Sequence, residues 1–434
     1  MYKIRIRNFG PIKEGFTDSD DGFLSINRLS IFVGSQGAGK STVVKLISSF
    51  LWLEKTILSK NKTETEIGTK TFFKSLLAYQ KIDSFYTEKS EIEFKDDFVE
   101  FKVVNGNIRC KIIDDKKYIR PKIQYIPSER NLVGVINRFA QIPLLPDSMK
   151  DFLAVYDEAV TDKEMQDSEF PIEQLKIRYN KRKNLAELYT SSYSVSLGES
   201  ASGFQSAVPL FIVTKYFSDY IKKRRNEYKF KNLSERKVFE NVFKKKIEPL
   251  LKNYSKKMIE PFFNEYSENE VPYNMPVGDE PFFNEPQTED GDTLFDFFNR
   301  NLNSCFINIV EEPEQNLFPN SQKSIIEFLL ECMNSNNNNL LLLTTHSPYI
   351  LETVNNCIYA ASLKSEGYDT DKILDEKLHV PYDKVTAYSI SDGVIKSIKA
   401  DDIKQLDPSK IDECSKSIND LYSKLSDLKY GSGR

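Results

Sequence analysis

The sequence predicts an α/β fold, with a mixed and mainly parallel core sheet, flanking helices and an antiparallel β lobe. Two apolar runs, residues 305–310 and 340–344, have the length and continuity of strands buried on both faces. A third run, residues 29–33, leads into a glycine-rich loop and then into a helical pattern. Doubly buried strands separated by helical patterns are typical of parallel sheets covered by helices.

Composition sets the broad class. The chain has 434 residues, 40% of them hydrophobic, and a net charge of −4, so it is long enough to bury a core without disulfides. Its five cysteines are far apart and form no CxxC pair, which predicts neither a zinc knuckle nor a disulfide framework. The longest aliphatic run, residues 340–343, is too short to cross a bilayer, and the start lacks the apolar region of a signal peptide. We therefore expect a cytoplasmic protein without a membrane partner.

The remaining elements follow from local patterns. Residues 2–7 alternate apolar and basic side chains, as expected of a strand with one wet face. Residues 90–126 indicate several short strands separated by turns, which predicts the antiparallel lobe. The other predicted elements are a helix after Pro146, a helix from near Gln205, a helix between the two buried runs, a hairpin of residues 385–390 and 394–399, and a helix from about Asp407.

The most biased stretch lies between the cores. Residues 215–257 contain 15 basic and 5 acidic side chains, whereas residues 258–299 contain 11 acidic and no basic ones. The hexapeptide EPFFNE occurs twice in the acidic part, at 260–265 and 280–285. It is either an arm that docks on a partner or on the basic helix, or a local duplication in a solvated loop. Charge blocks are usually solvated, which favours the second interpretation.

The strongest motif is GSQGAGKST at residues 34–42, which matches the P-loop pattern G-x4-G-K-[ST] between a predicted strand and a predicted helix. Its glycines let backbone N–H groups turn towards phosphates, and the helix N-terminus adds partial positive charge. Lys40 is expected to neutralise the β and γ phosphates, and the Ser41 hydroxyl to bind Mg²⁺. The residues expected to contact the nucleotide are Gly34, Ser35, Gln36, Gly37, Ala38, Gly39, Lys40, Ser41 and Thr42.

Two further groups complete the predicted site. The buried run at 305–310 ends in Glu311, expected to bind Mg²⁺, and Glu312, expected to act as the general base. His346 follows the next buried run, and ligands collect at the carboxyl ends of parallel strands, so we expect it to reach the γ-phosphate. The sequence thus predicts a nucleoside triphosphatase with Lys40, Glu312 and His346 as its catalytic residues. His379 has no such context and is assigned no role.

These motifs resemble those of the ATP-binding-cassette superclass, in particular the SMC- and RecF-like ATPases and the OLD-type (AAA15/AAA21) branch. IRIRNFGPI at 4–12 resembles the start of those proteins. EEPEQNLFP at 311–319 is similar to their Walker B motif and D-loop, and TTHSPYIL at 344–351 to their histidine switch. The resemblance covers most of the chain. It implies an ABC-type head that binds ATP and Mg²⁺ and forms a homodimer or higher homo-oligomer through its ATP sites.

The resemblance also implies a signature motif. The best match is ASGFQ at 201–205, directly before a predicted helix whose N-terminus suits a phosphate held by another subunit. Phe204 replaces the second glycine of the family pattern, and SLGE at 196–199 is a competing match. The residues expected to approach the nucleotide of the other subunit are Ser202, Gly203 and Gln205.

A further segment, YIPSER at 125–130, resembles one that is frequent in this branch after the antiparallel lobe. It suggests that Arg130 senses phosphate or a neighbouring subunit. An ordinary exposed arginine in a turn explains the segment equally well.

We expect three parts: an N-terminal ATPase lobe at 1–130, a helical lobe with the signature and the charged insertion at 131–300, and a C-terminal ATPase lobe at 301–434. Only about 160 residues separate Lys40 from Ser202, which leaves no room for long SMC-type arms. Residues after His346 contain no DxD pair in the setting expected of an OLD-type nuclease.

The expected function is therefore a stand-alone ATPase that switches a separate effector, a nuclease, as in two-component anti-phage systems of Septu or PARIS type. The alternative is a RecF-like ATPase that binds DNA through the basic stretch.

Overall fold

The computed structural model describes residues 1–59, 61–115, 118–135, 145–182, 185–227, 303–409 and 421, with the backbone alone for 135 and 223–227. Most of the basic stretch, the whole acidic stretch with its repeated hexapeptide, and the helix predicted from about Asp407 beyond residue 409 lie outside the described residues.

The described strands are β1 (Tyr2–Arg7), β2 (Gly15–Phe16), β3 (Leu24–Ile26), β4 (Leu29–Val33), β5 (Glu91–Lys95), β6 (Val99–Val104), β7 (Asn107–Ile112), β8 (Pro121–Ile126), β9 (Ser168–Glu169), β10 (Lys176–Asn180), β11 (Leu185–Tyr189), β12 (Ser194–Ser196), β13 (Cys305–Glu311), β14 (Leu340–Thr345), β15 (Val385–Ser391), β16 (Val394–Ser397), β17 (Lys399–Ala400) and β18 (Gln405–Leu406). The described α-helices are α1 (Lys40–Leu58), α2 (Glu64–Ile67), α3 (Lys70–Tyr79), α4 (Leu132–Val135), α5 (Asp147–Thr161), α6 (Ser202–Glu227), α7 (Pro319–Asn334) and α8 (Pro348–Ser365).

A mixed seven-stranded sheet organises the molecule, in the order β2-β16-β15-β4-β14-β13-β8. The five strands from β15 to β8 are mutually parallel, while β16 runs antiparallel to β15. This confirms the predicted parallel core and the C-terminal hairpin, and it adds β15 to the core sheet itself. Because parallel strands end at one edge, Val33 lies opposite Thr345 and Glu311 opposite Thr344. The ends of β4, β14 and β13 therefore converge.

Apolar cores cover both faces of this sheet. All residues of β4 and β13 are buried, as their unbroken apolar sequences predict. On β14, Leu342 packs in the core with α1 and the antiparallel lobe, whereas Leu341 and Leu343 pack in the core with α5, α6, α7 and α8. The sheet thus holds α1 rigidly on one face and α6 on the other.

Two antiparallel sheets flank the core. The order β3-β1-β5-β6-β7 forms the predicted antiparallel lobe, and Ile4 and Ile6 of β1 face inwards as the alternation predicted. The last strand assigned to that lobe, β8, instead pairs parallel with β13 at the edge of the core sheet. A second sheet, β12-β11-β10-β9, lies between α5 and α6, where the sequence was interpreted as helical. Its strands have only two to five residues, too few for their alternation to stand out. Within the described ranges, no helix combines the length and apolar character that a membrane crossing requires.

Glu54, on α1, is 1% exposed, and within the part of the chain that the structure describes neither of its carboxylate oxygens has a hydrogen-bond partner. Burial, reinforced by the negative charge of Asp96, raises the pKa of Glu54 well above its ordinary 4.5. Because the pKa of Glu54 is higher in the folded state, the folded chain keeps this carboxyl proton at pH values where the unfolded chain has released it. The free energy of unfolding therefore falls as pH rises from acid to neutral, and Glu54 destabilises the fold more at neutral pH than in acid.

Glu54→Gln is expected to raise the free energy of unfolding by roughly 1–3 kcal/mol at about pH 8, and by much less at about pH 5. Urea denaturation at both pH values measures the difference. The exposed Glu88→Gln is the control and should change stability equally little at each pH. An equal gain for Glu54→Gln at both values would contradict the prediction.

Candidate active site

The P-loop lies where predicted, between buried β4 and α1. Residues 35–37 are exposed, whereas Gly39 and Lys40 are buried at the start of the helix. Gly39 has φ 110°, and a Cβ there would lie 2.8 Å from Ile12 Cδ1 and 2.9 Å from Pro11 Cγ. Only glycine fits this conformation and this approach. The N-terminal NFGPI segment therefore supports the loop from behind and leaves its tip open to a ligand.

Lys40 is 5% exposed and turns its ammonium group back into the loop. Its Nζ donates hydrogen bonds to the carbonyl oxygens of Gly34 and Ser35 at 2.8 and 2.9 Å. Burial lowers the pKa of Lys40, against the opposing effect of the carboxylates of Glu312, Glu314 and Glu311. The ammonium group is thus a largely buried cation held by two carbonyl oxygens of the phosphate-binding loop.

His346 joins Lys40 to Glu312. Its Nδ1 lies 3.5 Å from Lys40 Nζ, and its Nε2 lies 3.2 Å from Glu312 Oε1. An ammonium group only donates and a carboxylate only accepts, so the neutral imidazole that satisfies both carries its proton on Nε2. The structure brings together the three residues predicted to be catalytic, although 306 positions separate Lys40 from His346.

Glu312 is held as an ionised acceptor. The hydrogen bond from His346 lowers the pKa of Glu312, aided by the charges of Lys40 and Arg130 and opposed by burial. Its backbone is in the left-handed region, with φ 44°, and its N–H donates to the Thr344 carbonyl oxygen at 2.9 Å. The left-handed turn directs the side chain across the end of β14 to His346.

The geometry adds a residue that the sequence interpretation missed. Glu314 Oε1 accepts the His346 backbone N–H at 2.6 Å and the Thr345 hydroxyl at 2.8 Å. Burial raises the pKa of Glu314, and no described residue makes a hydrogen bond with its buried Oε2. Glu314 therefore fixes the backbone that carries His346. The sequence signal that could have revealed this residue is its position as the third acid of the EEPE run at 311–314.

Glu311 lies at the buried end of β13 and is 3% exposed. Its Oε2 accepts the Ser128 N–H at 3.4 Å, whereas its Oε1 is buried and has no hydrogen-bond partner among the described residues. Ser41 is half-buried in the first turn of α1, and Thr42 beside it is buried. The Ser41 hydroxyl follows the end of β4, and the unpartnered Oε1 of Glu311 lies at the end of β13. Both groups therefore lie at the same edge of the core sheet.

The predicted signature residues are in the first turn of α6, which begins at Ser202 rather than after the motif. Ser202 is exposed. A Cβ on Gly203 would lie 2.7 Å from the carbonyl oxygen of Asn316, so only glycine lets the helix approach that loop. Gln205 Nε2 donates to the carbonyl oxygens of Gly198 and Ser200, in and beside the competing SLGE segment. Among the described residues, no hydrogen bond joins these three positions to the P-loop.

The environment of Arg130 matches neither expectation, a sensor of phosphate or of a neighbouring subunit, or an exposed arginine in a turn. It is fully buried, so it is not an exposed turn residue. Its guanidinium donates to four backbone carbonyl oxygens, of Pro127, Ser206, Glu311 and Glu312, at 2.6–3.1 Å. Burial lowers the pKa of Arg130 to about 10. In this arrangement it contacts the backbone behind the site, and the predicted contact with phosphate or a neighbouring subunit is replaced by an internal one.

A P-loop, an acidic strand end and a histidine at one edge of a parallel sheet define the protein as a P-loop nucleoside triphosphatase. The sequence model of the AAA_15 family, described as an AAA ATPase domain, matches residues 1–303 and 293–351. The chain belongs to this family and is an ATPase that binds ATP.

Structural comparison finds similarity to the SMC head domain from Thermotoga maritima, with 9% identity, a TM-score of 0.34, and coverage of 91% of this chain and 97% of that one. It also finds an SMC head bound to the C-terminal winged-helix domain of ScpA, with 10% identity, a TM-score of 0.33, and coverage of 91% and 96%. Among curated proteins, none matches the sequence significantly.

Lys40→Ala is expected to weaken ATP binding about 10- to 100-fold, because the phosphates lose a charge-assisted donor worth roughly 1.5–3 kcal/mol. Titration with a fluorescent ATP analogue measures the dissociation constant. Lys45→Ala, on the same helix, removes an equal charge away from the loop and should bind like the wild type. Equal affinity of Lys40→Ala and wild type would refute the role of Lys40.

Proposed function

We propose that the protein hydrolyses ATP at a site completed by a second copy, and that this cycle switches a separate effector. The observation that carries the catalytic part is the connected series Lys40, His346 and Glu312, with contacts of 3.5 and 3.2 Å. Lys40 transfers its hydrogen bonds from loop carbonyls to the β and γ phosphates. Glu312 takes a proton from the attacking water, and His346, held by Glu314, binds the γ-phosphate. The products are ADP and phosphate.

Mg²⁺ fits the residues present. The Ser41 hydroxyl and the unpartnered Oε1 of Glu311 are hard oxygen donors, directly or through water. Within the described residues no group of three or more His, Cys, Asp and Glu side chains is placed to hold a metal ion. That donor set suits an ion that takes its other ligands from phosphate and water. When bound, Mg²⁺ would neutralise charge on the β and γ phosphates.

Dimerisation is supported by Ser202. It is exposed at the N-terminus of the 26-residue α6, where helix N–H groups suit an anion, and it makes no hydrogen bond with the P-loop in the described part of the chain. A second copy, facing the first, would place each Ser202 and Gly203 against the nucleotide of its partner. The proposed lobes are 1–130, 131–300 and 301–434, with strands of the first and last combined in one sheet.

The proposed effector is a separate nuclease, as in two-component anti-phage systems of the OLD-type branch. In support, the described residues after His346 are used to complete the ATPase. Strand β15 pairs with β4 beside the P-loop, and α8 packs in the same core as α7. The duplicated acidic hexapeptide and most of the basic stretch lie outside the described residues. The basic stretch would serve the alternative, a RecF-like ATPase that binds DNA.

The test is co-expression of the tagged chain with the reading frames that adjoin its gene. We expect a nuclease to co-purify, with DNA cleavage that differs between wild type and Glu312→Gln in the presence of Mg²⁺ and ATP. DNA binding by the purified ATPase alone, falling by orders of magnitude between low and physiological salt, would instead support the RecF-like alternative.

A further inference from the structure

Behind the active site lies a fully buried arginine, Arg130, whose side chain donates four hydrogen bonds, all to backbone carbonyl oxygens. Arg130 is in the short helical turn Ser128–Asn131 that follows β8. Nη1 donates to the carbonyl oxygens of Glu311 and Pro127 at 2.6 and 3.1 Å, and Nη2 donates to that of Glu312 at 2.6 Å. A charged, forked donor in a buried site makes strong and directional hydrogen bonds.

Two of these acceptors are the carbonyl oxygens of Glu311 and Glu312, the two acids at the end of β13. Glu312 has φ 44°, a conformation that costs a residue with a side chain about 1–3 kcal/mol and persists only where its surroundings impose it. The Thr344 carbonyl oxygen accepts the Glu312 N–H, and the Glu312 carbonyl oxygen accepts from Gln315 N–H at 3.0 Å and from Arg130 Nη2 at 2.6 Å, so Glu312 is held on both sides. Arg130 is the charged donor of the two and makes the shorter bond; among the described residues its loss leaves only the local Gln315 bond on the carbonyl side.

The fourth acceptor belongs to another element. Arg130 Nε donates to the carbonyl oxygen of Ser206 at 2.9 Å, in the second turn of α6. The same end of α6 contacts the loop after Glu312, because Gly203 packs against the Asn316 carbonyl and the Asn316 amide lies 3.4 Å from the Ser206 hydroxyl. Arg130 therefore links the helix that carries Ser202 to the strand end that carries Glu312.

We propose that Arg130 is a positioning residue for hydrolysis, which holds the Glu312 peptide in its catalytic turn and ties it to the first turns of α6. Engagement of Ser202 by the partner's nucleotide is thereby transmitted to the general base of the same subunit. This inference rests on the proposed hydrolytic site and deepens it. It predicts that loss of the fork impairs chemistry and spares nucleotide binding, since Arg130 makes no described hydrogen bond with the P-loop.

Arg130→Lys keeps the charge and removes the fork. We expect kcat to fall about 10- to 100-fold, as for a small misplacement of a catalytic group, with the dissociation constant of a fluorescent ATP analogue within about threefold of wild type. The matched control is Arg28→Lys. Arg28 also donates to two carbonyl oxygens, of Met333 and Asn336, but at the opposite end of the sheet. It should keep wild-type kcat.

A double variant tests the route of the effect. If Arg130 acts through Glu312, Arg130→Lys should change the residual rate of Glu312→Gln less than about twofold, because the two losses overlap. Long incubations with radiolabelled ATP make that rate measurable. Full additivity in the double variant would overturn the inference.

Other outcomes are equally decisive. Wild-type kcat in Arg130→Lys, or an equal loss of kcat and ATP affinity, or the same loss in Arg28→Lys, would each make Arg130 merely structural. If Arg130→Lys does not fold, Arg130→Gln repeats the comparison, and failure of both to fold also overturns the inference. Absence of hydrolysis by wild-type protein would refute the proposed function instead, so the two failures are distinguishable.

Discussion

Glu312→Gln is expected to lower the rate of ATP hydrolysis about 10²- to 10⁴-fold while ATP still binds. The amide occupies the same space and can still contact His346, but it cannot accept a proton from water. In the structure Glu312 is ionised and aimed at His346 Nε2 at 3.2 Å, as a base requires. Because the P-loop is untouched, the variant should accumulate in its ATP-loaded form.

Phosphate release measured under saturating ATP and Mg²⁺ tests the rate, and sedimentation velocity with and without ATP tests the accumulated form, which should be a dimer. Glu352→Gln, an exposed acid on α8, is the control and should hydrolyse like wild type. Unchanged phosphate release by Glu312→Gln would favour a nucleotide-stabilised scaffold. A variant that stays monomeric at saturating ATP would refute the proposed composite site.

Ser202→Arg is expected to reduce turnover at least about 100-fold and to leave ATP affinity near wild type. Ser202 is exposed and makes no described hydrogen bond with its own P-loop, so its contribution comes only when it faces the nucleotide of a second copy. A long side chain at this point keeps the signature away from the phosphates in the one site that it would complete. Ser191→Arg, in the exposed turn between β11 and β12, makes the same change away from α6 and should be active.

Mixing two inactive variants tests this prediction more stringently. Each proposed site takes its P-loop from one subunit and its signature from the other. Mixing Ser202→Arg with Lys40→Ala therefore creates heterodimers with one intact site, and random pairing should restore about a quarter of the activity. Normal hydrolysis by Ser202→Arg alone would show that the signature is wrongly assigned, and SLGE at 196–199 would become the candidate.

Contiguous motifs were predictable because their chemistry depends on a few neighbouring residues. The P-loop needs glycines, a lysine and a hydroxyl in one stretch, and β4 and α1 flank it as predicted. Unbroken apolar runs likewise revealed β13 and β14, since only strands covered on both faces need such sequences. The β9–β12 sheet was missed because strands of two to five residues carry almost no periodic signal.

Arg130 illustrates the opposite case. From the sequence it was a turn arginine or a sensor, and nothing local revealed that it is buried. Its acceptors come from Pro127 nearby, Ser206 on α6 and the two acids at the end of β13. Which backbone carbonyls converge on one guanidinium depends on how α6 crosses the sheet, and that is a property of packing.

The amino-acid sequence by itself determined the chemistry available to this protein: a phosphate-binding loop, a pair of acids after a buried strand, and a histidine after the next one. Tertiary structure alone decided that Lys40, His346 and Glu312 meet, that Glu314 holds the histidine backbone, and that Arg130 faces inwards. The reason is physical. Side-chain type and local pattern are written along the chain, whereas contacts between residues hundreds of positions apart arise only when strand order brings the ends of β4, β14 and β13 together.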